Sequence, residues 1–157
     1  MVIVWIKPNA KIKTKLLYLV SRDGEGFFGA RCTNKGPIII FAKLDNGLRF
    51  GSFSGNLKNK NGWIKDKDTF LFSLNNKLKF MKNNTNYTGY HGNCPDFGDN
   101  YYNELFISSN CLKKNNHLDK RGNAFYFQIK DLIGVEAQGQ YNFDIPEYEI
   151  YSVNIQN

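Results

Sequence analysis

Four groupings in this 157-residue chain have residue types and spacing that could do chemistry. Arg22-Asp23-Gly24 sets a guanidinium beside a carboxylate, a pair that could hold an anion or trade a proton. The competing reading is structural: Asp-Gly closes a turn, Gly24 takes the positive φ that such a stop needs, and Arg22 or Asp23 caps nearby backbone. His91-Gly-Asn-Cys94, followed by Cys111 and His117, offers two nitrogens and two sulfurs, the ligand set of tetrahedral zinc. Its spacing fits no standard finger, and the alternative makes Cys111 a small buried apolar residue and the histidines solvated loop residues, so no metal is favoured. Cys32 follows Arg31 and precedes Lys35, a cationic setting that favours thiolate and redox sensing, against burial, the usual fate of a free cysteine. Pro95-Asp-Phe-Gly98 lies in Gly/Asn-rich sequence that reads as a loop. There Phe97 either anchors a partner, with Asp96, Asp99, Tyr101 and Tyr102 as a polar rim, or plugs the end of the fold.

No recognised catalytic motif accompanies these groupings. Neither histidine stands in a nucleophile-elbow or HExxH context, and there is no GxGxxG or Walker-type loop. The net charge of +7 would suit nucleic acid, but most of it is lysine, and only Arg22, Arg31, Arg49 and Arg121 offer bidentate recognition. Nucleic acid is therefore not favoured as a partner. Positive charge gathers at Lys58, Lys60, Lys65, Lys67, Lys77, Lys79 and Lys82, and negative charge at Asp131, Glu136, Asp144, Glu147 and Glu149. That asymmetry reads either as solvated faces or as a docking surface that steers a protein partner.

The apolar runs Val2 to Ile6 and Pro37 to Ala42 are strand-sized, far short of the roughly 20 residues that span a bilayer, so no membrane insertion is expected. The start MVIVWIKPNAK lacks the layout of a secretory signal, and three cysteines are too few and odd in number for a disulfide framework. A cytoplasmic setting follows. Aromatics make up 15% of the chain and run along its whole length, which argues for one folded domain over residues 1–157.

The elements that must position these groups read mostly as strands. Pro37 to Ala42, the Asp45-Asn-Gly47 turn signal and Leu48 to Phe53 form a hairpin. Thr69 to Leu74, Leu78 to Met81, Glu104 to Ser108, Ala124 to Ile129 and Glu147 to Ile155 are further strands, the last with two mixed faces and so central and partly covered on both sides. Asn9 to Val20, with Ile12, Leu16, Leu17 and Val20 at helical spacing and Asn9 as cap, predicts an amphipathic helix. Any helix from Gly26 to Cys32 would be short. Asn56 to Gly62 and Asn83 to Asn93 read as polar loops. Phe70, Phe72 and Leu74 are expected inside a sandwich, with Phe50, Ile39 and Phe41 opposite.

The order of landmarks then carries a family resemblance over about residues 16–153. It rests on Ser21-Arg-Asp-Gly24, Cys32, Asn34-Lys-Gly-Pro37, Asn46-Gly47, Phe50-Gly51, Trp63, Phe70-Leu-Phe-Ser-Leu74, Pro95, Phe97-Gly98, Ile107-Ser108, Asn110-Cys111 and Glu147-Tyr-Glu149. In these the chain resembles the TLDc domain, the module of the eukaryotic oxidation resistance proteins. It departs from that pattern at Gly29, where the family usually has a histidine, and through Cys94 to Asn103. The resemblance implies an α+β, mainly β fold: a two-layer antiparallel β-sandwich flanked by short helices. It marks Arg22, Asp23, Gly24, Gly36, Pro37, Gly51, Pro95, Phe97, Gly98, Glu147 and Glu149 as motif positions. It further implies protection against oxidative stress and, in some members, binding to the vacuolar-type proton pump, with no settled enzymatic activity and no cofactor. The expectation is thus a non-catalytic interaction module that binds a pump subunit or another large complex. The alternatives are an enzyme with an unrecognised site, or a sandwich that binds a small ligand or glycan through Tyr87, Tyr90, Tyr101 and Tyr102.

Overall fold

A computed structural model describes residues 1–57, 62–81, 87–91, 94–98, 105–107, 116–119, 128–137 and 140–156. In chain order the elements are α1 (Val2–Ile6), β1 (Lys11–Leu19), α2 (Val20–Asp23), α3 (Phe28–Cys32), β2 (Gly36–Lys43), β3 (Arg49–Leu57), β4 (Gly62–Lys65), β5 (Phe70–Ser73) and β6 (Leu78–Met81). They continue with β7 (Tyr87–His91), β8 (Cys94–Gly98), β9 (Leu105–Phe106), β10 (Asn116–Asp119), α4 (Ile129–Ile133), β11 (Gln140–Phe143) and β12 (Glu147–Gln156). Two six-stranded antiparallel sheets result, ordered β1-β12-β2-β3-β5-β6 and β11-β10-β9-β8-β7-β4. The fold is therefore mainly β with short helices, as the sequence predicts.

Alternation along the strands builds two apolar clusters, one on each face of the first sheet. Ile38, Ile40, Phe50, Leu71, Tyr148 and Ile150 face inward and meet Leu105 and Phe143 of the second sheet and Ile107 just after β9, with Ile129, Leu132 and Ile133 of α4 in the same cluster. The opposite face carries Ile39, Phe53, Phe70, Phe72 and Val153, covered by Val2, Trp5 and Ile6 of α1. Strand β12 feeds both clusters, as its two mixed faces imply: Tyr148 and Ile150 enter the first, Val153 the second. The β2–β3 hairpin forms with Leu44 N–H donating to the Leu48 carbonyl at 2.9 Å around Asn46-Gly47.

Several expectations are corrected. The segment read as a helix from Asn9 is strand β1, laddered to β12 from Lys11–Gln156 to Leu19–Glu149. Ile12 packs, partly buried, against the outer cluster and Tyr18 is fully buried in the inner one, the face changing at the bulge between Leu16 and Tyr18. Asn9 is a turn residue with φ 63°, not a helix cap. The strand-sized apolar run Val2 to Ile6 is a helix. Val2, Trp5 and Ile6 recur at i, i+3 and i+4, so they pack together on the outer cluster, with Trp5 and Phe72 ring centroids 6.2 Å apart. Lys79 Nζ fastens this helix by donating to the Trp5 carbonyl at 2.7 Å while lying 4.3 Å from the Phe70 ring centroid.

The register of β5 is also reversed. Phe70 and Phe72 belong to the outer cluster with Ile39 and Phe41, whereas Leu71 shares the inter-sheet core with Phe50. The segments read as loops hold β7 and β8, and the ends of the loop read from Asn56 to Gly62 belong to β3 and β4. Ile129 begins α4 instead of ending a strand. Residues 124–127 of that expected strand lie outside the described residues.

Candidate functional site

The end of β1 turns into α2 at a corner that collects most of the first motif. Leu19 N–H, at the head of α2, donates to Asp23 Oδ2 at 3.0 Å. Gly24 ends the turn at φ 80°, a conformation L side chains rarely adopt. Beneath it, the buried Tyr18 hydroxyl donates to the Gly24 carbonyl at 2.5 Å. The structural reading of Asp-Gly therefore describes what these residues do.

Asp23 is the hub of the corner. Arg22 grips its carboxylate with two bonds, Nε to Oδ1 at 2.9 Å and Nη2 to Oδ2 at 2.6 Å, and Arg31 of α3 approaches Oδ1 at 3.5 Å. The Asp23 side chain is only 5% exposed, while Arg22 and Arg31 are 48% and 55% exposed. Bonding from Arg22, then from the Leu19 N–H, holds the carboxyl at about 2, well below the ordinary aspartate value. Arg22 is held correspondingly more firmly protonated, chiefly by its bond to Asp23. An acid fixed as its anion and saturated with donors is a bracket for cations, not a proton donor near neutral pH.

Cys32 lies beneath the same corner with no exposed surface, in the inter-sheet core. Desolvation, then the Asp23 charge, pushes its thiol up to about 12, and Lys35 opposes this only weakly. The cationic setting read from the sequence as favouring thiolate is thus overruled by burial.

Glu147 and Glu149 join the picture from the far end of the chain. Ser21 N–H donates to Glu147 Oε1 at 3.3 Å, and the Tyr151 hydroxyl donates to Glu149 Oε2 at 3.0 Å. Between them Tyr148 packs on Tyr18, with ring centroids 5.2 Å apart. Gly36 and Pro37 open β2. Gly51 is squeezed in β3: a Cβ there would come within 2.0 Å of the Ile40 carbonyl oxygen and 2.5 Å of the Phe72 ring. Gly51 thus sits between Ile40 of the inner cluster and Phe72 of the outer one.

The other groupings fare differently. Pro95, Asp96, Phe97 and Gly98 are in β8, whose backbone is laddered on both sides, to β7 and β9. The loop premise behind Phe97 as an anchor is therefore corrected, while Asp99, Tyr101 and Tyr102 lie outside the described residues. His91 and Cys94 are register partners across β7 and β8, and His117 is on β10, beyond β9. Cys111 lies outside the described residues. Among the described residues no three His, Cys, Asp or Glu side chains are grouped to hold a metal ion.

What sequence reasoning missed is the concavity beside the corner. It has a volume of about 700 Å³ and is lined by Lys15, Arg22, Arg31, Lys35, Asp23 and Ser152 among others. These residues come from five stretches of chain, so no motif announces them; the signal available was a scattered set of cations flanking Arg22-Asp23. A second, apolar groove of about 560 Å³ borders α1 on the outer face, lined by residues such as Ile3, Phe41 and Tyr151.

A two-sheet antiparallel sandwich whose motif residues brace one corner is the class these features define. The TLDc domain model matches residues 2–154, and the chain belongs to the TLDc family. No curated protein matches it.

Proposed function

We propose that this TLDc domain is a non-catalytic interaction module that acts in the cytoplasm by docking on a large protein assembly, with the vacuolar-type proton pump as first candidate. A contribution to oxidative-stress protection would follow from that docking. The observation that carries the reading is the state of the braced corner. Its carboxylate is saturated by Arg22, Arg31 and backbone, and its thiol is buried, yet the cations around it are exposed. Such a surface has charge to offer a partner and little acid, base or nucleophile to offer a substrate. No helix among the described residues is long and apolar enough to cross a membrane.

The test is co-sedimentation of the purified chain with membranes rich in the vacuolar-type pump, alongside ATP-driven proton uptake. Saturable binding that changes uptake is the expected result. Binding equal to that on membranes stripped of the pump would overturn the assignment of the pump.

A further inference from the structure

We infer that the basic concavity beside Asp23 is the docking site for an extended acidic segment of the partner protein. This deepens the interaction-module reading and rests on it. Four cations, Lys15 from β1, Arg22 from α2, Arg31 from α3 and Lys35 from the turn before β2, line the concavity together with one carboxylate, that of Asp23. Asp23 is already claimed by Arg22, by Arg31 and by the Leu19 N–H. Lys15 and Lys35 are exposed and have no ion-pair partner among the described residues. The cations therefore outnumber their anion, and the excess faces solvent.

The shape of the patch selects the ligand. Lys15 pairs in register with Ser152, Lys13 with Asn154 and Lys11 with Gln156. Alternate residues of a strand share a face, so Lys11, Lys13 and Lys15 prolong the concavity as a row with roughly 6.7 Å between neighbours. An extended peptide presents alternate side chains at the same interval, so acids at every second residue would meet the row in step. Ser152 and Asn154 also line a neighbouring groove that shares Lys35, which makes the track continuous. Stacked bases need aromatic platforms, and none of the described residues lining either groove is aromatic. That favours carboxylates of a protein over the phosphates of single-stranded nucleic acid. The bidentate hold of Asp23 on Arg22, with Arg31 at its other side, fixes two guanidiniums in advance, which lowers the ordering cost of binding.

The experiment is fluorescence anisotropy with a labelled peptide of alternating glutamate and serine, at about 50 mM and about 300 mM salt. Lys15→Ala combined with Lys35→Ala removes two exposed cations without touching the Asp23 bracket. Lys43→Ala combined with Lys67→Ala is the control of equal charge at two exposed positions outside the concavity. The inference expects at least a tenfold loss of affinity for the first pair and less than about a twofold loss for the second, with both effects shrinking at the higher salt. Equal losses for the two pairs would overturn it, since net charge alone would then explain binding. So would oligouridylate or phosphatidylserine vesicles that bind more tightly than the peptide and depend on the same two lysines. Membrane co-sedimentation separates the two claims. Pump binding that survives the loss of Lys15 and Lys35 overturns this site and leaves the module standing. Peptide binding that depends on those lysines in a chain that ignores the pump supports this site and removes the pump.

Discussion

Ser21 N–H donates to Glu147 Oε1 at 3.3 Å, a bond that closes a separation of 126 residues. It ties the first motif of the chain to the last at the corner where Tyr18 packs against Tyr148, and it lies beside the pairing of strand β1 with β12. A single exposed bond of this kind is worth about 0.5–1 kcal/mol. Glu147→Ala should lower unfolding stability by about that amount, and Glu147→Gln, which keeps an acceptor, should recover most of it. Urea denaturation of the three proteins checks this; equal midpoints for all three would show the contact contributes nothing.

Asp23 makes part of the fold's stability pH-dependent. Its folded carboxyl titrates at about 2, below the ordinary 3.8. Because the shift is downward, the stabilisation is fully present above about pH 4 and disappears as the pH falls through 2. Asp23→Asn should therefore melt below the parent at pH 7, with the gap narrowing between pH 4 and 2. A gap independent of pH would mean that Asp23 acts through shape and not charge.

Gly51 measures how tightly β3 is pressed between its neighbours. A methyl group there meets the Ile40 carbonyl oxygen at 2.0 Å, and a backbone atom in the middle of a ladder cannot step aside as a side chain can. Gly51→Ala should cost about 3 kcal/mol or more, at the top of the range for overpacking. Thermal unfolding gives the answer, and a melting temperature within a degree or two of the parent would refute the close approach.

Phe72 now has a different reason to matter than the sequence suggested. It is fully buried, but on the outer face, where it touches Trp5 and Phe41 and seats α1. Phe72→Ala should cost about 3–5 kcal/mol. It should also release α1, so protease cleavage near Lys7 should speed up more than global unfolding explains. Cleavage that tracks global stability alone would show that α1 is not held by this ring.

The sequence made the hairpin at Asn46-Gly47, the strands β5, β6 and β12 and the bracing role of Asp23-Gly24 readable, because in each the signal is local: a turn residue of required φ, or a short β-branched or aromatic run between breakers. That β1 is a strand and α1 a helix was hidden for the opposite reason. Ile12, Leu16, Leu17 and Val20 satisfy a helical period, and what makes the segment a strand is β12, whose partner residues lie up to 145 positions away, from Lys11 to Gln156. Val2, Trp5 and Ile6 did carry a helical spacing, but a run of five apolar residues is too short for period alone to decide. Burial decided Cys32 against its cationic neighbours, and burial is a property of the assembled sheets. The basic concavity was unreadable because Lys15, Arg31 and Lys35 belong to separate elements and become neighbours only once β1 folds beside β12.

Cys32 gives the last prediction. A thiol with no exposed surface, held up at about 12, leaves a thiolate fraction of the order of 10⁻⁵ to 10⁻⁴ at pH 7.4. Thiolate is the reacting species, so in a chain whose Cys94 and Cys111 are replaced by serine, Cys32 should resist an alkylating reagent while the protein is folded and react at once in denaturant. The residual rate in the folded protein should follow the population of opened molecules, rising with destabilising variants such as Gly51→Ala. Cys32→Ser should be costly, because it exchanges a small apolar group for a hydroxyl in the core. Rapid labelling of folded protein at neutral pH, at a rate indifferent to stability, would contradict the burial argument and restore Cys32 as a redox-active thiol.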